Sequence, residues 1–82
     1  MDDLKFSPHA RDEMADDQIP ETAVYHIVSD ADEEFEQDNG RTAYTGVWED
    51  RAITAVVEDD GRTVVTVWEW KRESRRRRRR RR

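Results

Sequence analysis

The sequence contains no cysteine, which excludes a disulfide framework, a thiolate metal site and a cysteine nucleophile. It also lacks an apolar run long enough for a membrane span, and its first residues are acidic, unlike a signal peptide. Its 82 residues suffice for one small domain but not for a catalytic domain joined to a cofactor domain. We therefore expect a soluble cytoplasmic protein without a metal, a cofactor or a membrane span.

Lysine is scarce as well, since Lys5 and Lys71 are the only two. Residues 1–74 contain 7 basic and 20 acidic residues, which gives this part a net charge of −13. An acidic, lysine-poor surface is typical of proteins from a halophilic cytoplasm, because carboxylates keep the surface hydrated. We interpret the acidity as a property of the whole surface; a functional acidic patch is the alternative.

The positive charge is concentrated in eight consecutive arginines, Arg75–Arg82. Such a run cannot fold alone, because like charges repel and no apolar surface is buried. We predict a single domain over residues 1–73 and a disordered tail over 74–82. The tail could bind RNA, DNA or anionic lipid without sequence preference. It could equally be an added solubility or delivery tag, or fold back on the acidic body.

Two short helices are predicted near the N-terminus. Ser7 can cap a helix over residues 8–17, and Pro8 suits its first position. A second helix over residues 20–29 has helical spacing of its apolar residues. These residues are Ala23, Val24, Ile27 and Val28.

From Phe35 onward the pattern indicates β-strands over residues 34–38, 41–48, 51–58 and 62–70. Asn39-Gly40 and Asp60-Gly61 are strong signals for two-residue hairpin turns, and Glu49-Asp50 is a weaker one. Consecutive tight turns predict an antiparallel meander. The predicted fold is α+β, with two short N-terminal helices packed on a four-stranded antiparallel sheet.

If all three turns have two residues, the register follows from alternation. One face, which we expect the helices to cover, carries Phe35, Tyr44, Trp48, Ile53, Ala55, Val57, Val64, Trp68 and Trp70. The other face carries Ala43, Thr45, Val47, Ala52, Thr54, Val56, Val65, Val67 and Glu69. This second face is flat and semi-apolar, so it is either solvated or in contact with a partner.

Several short motifs occur in an order that resembles a known family. They are Ser7-Pro8-His9-Ala10 with Met14, then Ile19-Pro20-Glu21, Gly40-Arg41-Thr42-Ala43-Tyr44 and Val64-Val65-Thr66-Val67-Trp68. Together they resemble domain of unknown function 4258, which is similar to the BrnT toxins within the RelE/ParE-like ribonuclease-toxin superfamily. The resemblance implies a RelE/BrnT-like fold, an endoribonuclease or toxin-like role, and an antitoxin partner. The family motif usually carries Arg where this chain has Glu13.

His9 is the leading candidate for chemistry. Metal-independent RNA cleavage by the 2′-OH needs a proton acceptor, a proton donor and positive charge at the phosphate. An imidazole at a helix N-terminus could transfer a proton near a bound anion. The alternative is a structural His whose ring bonds to the backbone. His26 is interpreted as a surface residue, and the two histidines do not form a metal motif.

The other candidate catalytic residues are Arg11, Arg41 and Tyr44. Arg41 could bind a phosphate bidentately, or it could be a solvated charge paired with a carboxylate. Tyr44 could offer its phenol to a phosphate, or it could be a half-buried sheet residue. Candidate nucleic-acid-binding residues are Arg51, Trp70, Lys71 and Arg72. Trp48, Trp68 and Trp70 form either a base-stacking platform or part of the core.

The resemblance, with His9 and the nearby arginines, implies a toxin-family protein that acts on RNA as a metal-independent endoribonuclease. One alternative is a non-catalytic module of the same fold that binds a protein through its sheet face or strand edge. Another is non-specific nucleic-acid binding driven by the tail alone. The acidic body disfavours the first hypothesis, since RNA-binding surfaces are usually basic.

Overall fold

The computed structural model describes residues 3–70, which form two helices and a five-stranded mixed sheet. In chain order the elements are β1 (Lys5–Phe6), α1 (Pro8–Asp17), α2 (Glu21–Ser29), β2 (Glu33–Glu36), β3 (Thr42–Trp48), β4 (Arg51–Val57) and β5 (Thr63–Trp70). The predicted tail over residues 74–82 lies outside the described residues. Within residues 3–70, no helix is long and apolar enough to cross a membrane.

α1 begins where the sequence predicts, and α2 begins one residue later than predicted, at Glu21. The Ser7 hydroxyl accepts a hydrogen bond from the Ala10 N–H at 3.0 Å and so caps α1, with Pro8 at the first turn. The last turn of α1 ends at Gln18, which adopts a left-handed conformation with φ of 56°. Ile19 then turns inward and is buried in the core.

The sheet has the strand order β1-β5-β4-β3-β2. The meander of β2 to β5 is confirmed, but the prediction of a purely antiparallel four-stranded sheet is wrong. A fifth strand, β1, pairs parallel with β5 through Lys5 with Thr63 and Phe6 with Val64. Two residues give no alternating pattern, so a strand this short has no signal in the sequence.

Both helices pack on one face of the sheet. The buried residues between the layers are Ala10, Met14, Ile19, Ala23, Val24, Ile27, Ile53, Ala55, Val57, Val64 and Val67. Tyr44 and Trp48 pack against this core from β3, as predicted. We call the opposite face the open face; it carries Glu33, Phe35, Ala43, Thr45, Val47, Ala52, Thr54, Val56, Trp68 and Trp70.

Two irregularities move residues between the faces relative to the prediction. The β2–β3 connection has three residues rather than two, because Gln37 pairs with Arg41. Phe35 consequently lies opposite Ala43, on the open face. A shift in the β4–β5 register between Val56 and Val57 reverses the alternation along β5.

The predicted faces of four β5 residues are therefore wrong. Trp68 and Trp70 belong to the open face, where they lie opposite Thr54 and Ala52. Val67 and Glu69 belong to the helix-covered face, opposite Ala55 and Ile53.

Candidate functional site

His9 lies in the first turn of α1 with its side chain 70% exposed. Its Nε2 is 3.4 Å from Oε2 of Glu13, one turn further along the helix. At this distance the carboxylate attracts a protonated ring without forming a hydrogen bond to it. The imidazole is accessible to solvent rather than buried against the backbone.

Glu13 is itself fixed to the sheet. Its Oε1 accepts hydrogen bonds from the Thr66 hydroxyl and from the Val67 N–H, the latter at 3.0 Å. One carboxylate therefore contacts the edge of β5 with one oxygen and the imidazole with the other. An exposed imidazole within ion-pair distance of an anchored carboxylate could act as a proton acceptor if a hydrogen bond to Glu13 forms when RNA binds.

Arg11 is close to His9 in sequence but lies on a different side of α1, since residues two apart on a helix do not face each other. Its guanidinium lies 5.4 Å from the centre of the Phe6 ring and 3.5 Å from the Glu21 carboxylate. Both partners of this pair are more than half exposed. Such a pair is weak, so it can yield to a bound phosphate.

Arg41 and Tyr44 do not contact His9 in the structure. Arg41 pairs with Glu58 at 3.1 Å near the β2–β3 connection. Tyr44 lies in the middle of β3 and packs against the core. Burial raises the pKa of the Tyr44 phenol, and the carboxylate of its cross-strand neighbour Glu34 raises it further. The phenol therefore stays protonated at neutral pH, as a donor rather than a base.

Arg51 joins the end of α1 to the sheet. Its guanidinium donates to the backbone oxygens of Asp17 at 2.7 Å and Gln18 at 3.1 Å. It also pairs with Glu69 at 3.0 Å, and it lies 5.9 Å from the centre of the Trp48 ring. These contacts bind the last carbonyl groups of α1, so Arg51 has a structural role whether or not it also contacts nucleic acid.

Trp70 is the last described residue and lies on the open face. Its indole N–H donates to the Thr54 hydroxyl at 2.8 Å, and its ring meets that of Trp68 edge to face at 6.0 Å. The two other candidates for nucleic-acid binding, Lys71 and Arg72, lie outside the described residues. The stacking platform of three tryptophans is not assembled, because Trp48 packs on the helix-covered face.

Glu13 and Thr66 are the site residues that sequence reasoning missed. The spacing of His9 and Glu13, four residues apart on a predicted helix, was a usable signal for their contact. Thr66 gave no such signal, because its contact with Glu13 depends on how α1 docks beside β5. Among residues 3–70, no group of three or more His, Asp or Glu residues could hold a metal ion.

Comparison with known proteins identifies the family. No curated protein and no solved structure matches the chain. The family described as domain of unknown function 4258 matches residues 6–69, which span β1 to β5 and include His9, Glu13 and Thr66. Since this match covers well over half of the sequence, the chain belongs to the family of domain of unknown function 4258.

Proposed function

We propose that this domain is a RelE-like, toxin-type endoribonuclease that cleaves RNA without a metal ion, with His9 as the general base and Glu13 as the residue that positions it. The observation that carries the proposal is the exposed imidazole beside a carboxylate that is anchored to β5. A structural histidine would instead be expected to be buried, with its ring bonded to the backbone.

In the proposed reaction, Nδ1 of His9 accepts the proton of a ribose 2′-OH while that oxygen bonds to the adjacent phosphorus. The bond from phosphorus to the 5′-oxygen breaks, and the leaving oxygen takes a proton from water. The products are a 2′,3′-cyclic phosphate and a 5′-hydroxyl end. Glu13 places its negative charge beside the positive charge that the ring gains.

The proposal predicts a slow enzyme. Proton transfer by one positioned side chain contributes on the order of 10²–10⁴-fold in rate. Arg11 is the nearest candidate cation in sequence for the phosphate, while Arg41 and Arg51 are held by Glu58 and Glu69. The acidic body also weakens RNA binding, since the electrostatic part of affinity comes from basic contacts.

The test is incubation of the full chain with single-stranded RNA in the presence of a metal chelator, followed by analysis of the product ends. His9→Ala should abolish cleavage, and Glu13→Gln should reduce kcat without the same change in KM. His26→Ala is the matched control, because His26 is the other histidine and is exposed on α2. Equal cleavage by wild type and His9→Ala would contradict the proposal.

A second candidate function is a protein-interaction module, with an antitoxin as one kind of partner. The observation that favours it is the open face, where Phe35 is 66% exposed and Val47 is 52% exposed. They lie on the same face, four positions apart along β3, and an exposed apolar sheet face can mark a contact surface. A module of this kind should leave RNA intact while variants of Phe35 lose the partner.

A further inference from the structure

The open face is an apolar sheet surface that neither described helix covers. Phe35 and Val47 are its most exposed large apolar residues. Trp68 and Trp70 pack against each other further across the sheet. Antiparallel sheets often leave one face to solvent, and Thr54 and Val56 on this face are already buried. The apolar surface that a partner could cover is therefore that of Phe35 and Val47.

The described part of the chain ends at one particular end of this face. Val47, Ala52 and Trp70 lie in register across β3, β4 and β5, and Trp70 is the last residue of β5. Twelve residues follow it, Lys71 to Arg82, and ten of them are arginine or lysine. The cationic segment therefore starts at the same end of the sheet as Val47, two strands away from it.

Exposed carboxylates surround the same end of the sheet. Glu49 and Asp50 form the turn between β3 and β4, next to the pair of Val47 and Ala52. Asp32 and Glu33 lie at the start of β2, where Asp32 donates its backbone N–H to Thr45 at 2.9 Å. The apolar face is thus bordered by negative charge at the point where the positive segment begins.

The segment is long enough to cross the face. Three strand spacings of about 4.8 Å separate β5 from β2, which is about 14 Å in all. Twelve extended residues reach about 40 Å. About five residues therefore suffice for the crossing, and these are residues 71–75. The run of arginines would then begin near Glu33, and its further residues would reach Phe35.

We propose that residues 71–82 dock on the open face of their own chain. Arginine suits this surface, because its guanidinium binds carboxylates and stacks on aromatic rings while its stem covers apolar area. Lysine would form the ion pairs but stack less well. The docked segment would cover Phe35 and Val47 and neutralise part of the acidic body.

A second copy of the chain is disfavoured along the β2 edge of this surface. Three of the four residues of β2 are Glu33, Glu34 and Glu36, and all four residues are exposed. Edge-to-edge pairing of two such strands would place like charges near one another, which is a device that proteins use to prevent association. The occupant should therefore be cationic, as residues 71–82 are.

Paramagnetic relaxation in NMR tests the proposal on the full chain. Because the sequence has no cysteine, Arg80→Cys creates one attachment point for a nitroxide label. At low salt, the amide signals of Glu33, Phe35 and Val47 should lose most of their intensity. Thr22 and His26, exposed on α2, should keep theirs. Added salt should restore the lost signals, since the pairing charges are exposed.

A second variant separates docking from chance proximity. Replacing Glu33 and Glu49 by Gln and Asp50 by Asn removes the charges but preserves side-chain size, so broadening of the open face should fall. Equal broadening on both faces, or none, overturns the proposal. The alternative occupant is a second copy of the chain. To detect it, isotope-labelled chains without a spin label are mixed with spin-labelled chains that carry no isotope label. Broadening of equal strength in that mixture overturns docking within one chain in favour of a second copy.

Discussion

The side chain of Glu13 accepts a hydrogen bond from the backbone N–H of Val67, 54 positions later in the sequence. The bond has a clear structural cause. β1 pairs with β5 only at Thr63 and Val64, so the edge of β5 beyond that point lacks a strand partner. α1 lies there instead, and its glutamate supplies the acceptor that a longer β1 would have supplied. The candidate site is therefore also part of the fold.

Glu13→Ala should destabilise the protein by about 1–3 kcal/mol, because it leaves the N–H of a buried residue without an acceptor. Glu13→Gln keeps an amide oxygen at the same place and should lose less. Urea unfolding of the two variants measures the difference. Glu21→Ala, which changes an exposed glutamate, should stay within about 0.5 kcal/mol of wild type. Equal losses for Glu13→Ala and Glu21→Ala would show that the Val67 contact is unimportant.

Arg51→Ala should cost about 1–3 kcal/mol of stability, since it removes charge-assisted bonds to Glu69 and to the carbonyl groups that end α1. Arg51→Lys should recover only part of the loss, because one ammonium cannot reproduce the forked geometry. The measurement is urea unfolding combined with RNA binding at fixed salt. Weaker RNA binding without any loss of stability would instead make Arg51 a nucleic-acid contact, as the sequence alone suggested.

The helices and the central strands could be predicted because their signals are local. Ser7 and Pro8 mark the start of α1, and the apolar spacing of α2 identifies its buried side. The register of β3 and β4 was also correct, since Glu49-Asp50 is a true two-residue turn that pairs Trp48 with Arg51. In each case, residues close together in the sequence determine where the element begins, ends or turns.

The turns show where local reasoning failed. Asn39-Gly40 is the stronger sequence signal for a two-residue type I′ turn, which needs positive φ at both central residues. In the structure Gly40 has φ of 88° but Asn39 is not in the left-handed region, and the loop has three residues. The sequence Asn-Gly permits both loops, so it locates the turn without fixing the register.

The candidate site was predictable only in part. His9 could be identified from its place at a helix start, but its partners depend on tertiary packing. The contact of Glu13 with Thr66 and Val67 exists because α1 lies against the edge of β5, and β1, which directs α1 there, is too short to predict. Arg11, Arg41 and Tyr44 were grouped by residue type, whereas the fold places them against different partners.

The β3–β4 turn can be improved by design. Glu49 and Asp50 have φ of 49° and 67°, a conformation that costs most residues about 1–2 kcal/mol. Replacing them with Asn and Gly should therefore raise the free energy of unfolding by about 1 kcal/mol. Thermal unfolding followed by circular dichroism measures the change. Gly40→Ala should act in the opposite direction, because it forces a side chain into the left-handed region at the other hairpin.

If the Asn-Gly variant is no more stable than wild type, the left-handed turn at residues 49–50 is not a source of strain. The Gly40→Ala variant guards against a trivial result, since a protein that tolerated both changes would not depend on its turn conformations for stability. The two variants change different hairpins and share no partner, so their effects should add.

Asp60 gives the protein a specific acid sensitivity. Its carboxylate accepts hydrogen bonds from the Arg62 N–H at 2.8 Å, the Thr63 N–H at 2.9 Å and the Thr63 hydroxyl at 2.7 Å. The bond from the Arg62 N–H is the largest cause, followed by those from Thr63, and together they lower the pKa of Asp60 from 3.8 to about 2. Because the folded state favours the charged form, this stabilisation is present above the unfolded value and is lost as pH falls through the folded value.

Asp60→Asn keeps an oxygen acceptor but cannot titrate, so it isolates this effect from the other carboxylates of the chain. Wild type should be the more stable of the two at neutral pH, since a charged acceptor forms stronger hydrogen bonds. The difference in Tm should persist down to about pH 4 and shrink as the pH approaches 2, because Asp60 becomes protonated in that window. A difference that stays constant over the same range would mean that the loop does not depend on the ionised carboxylate.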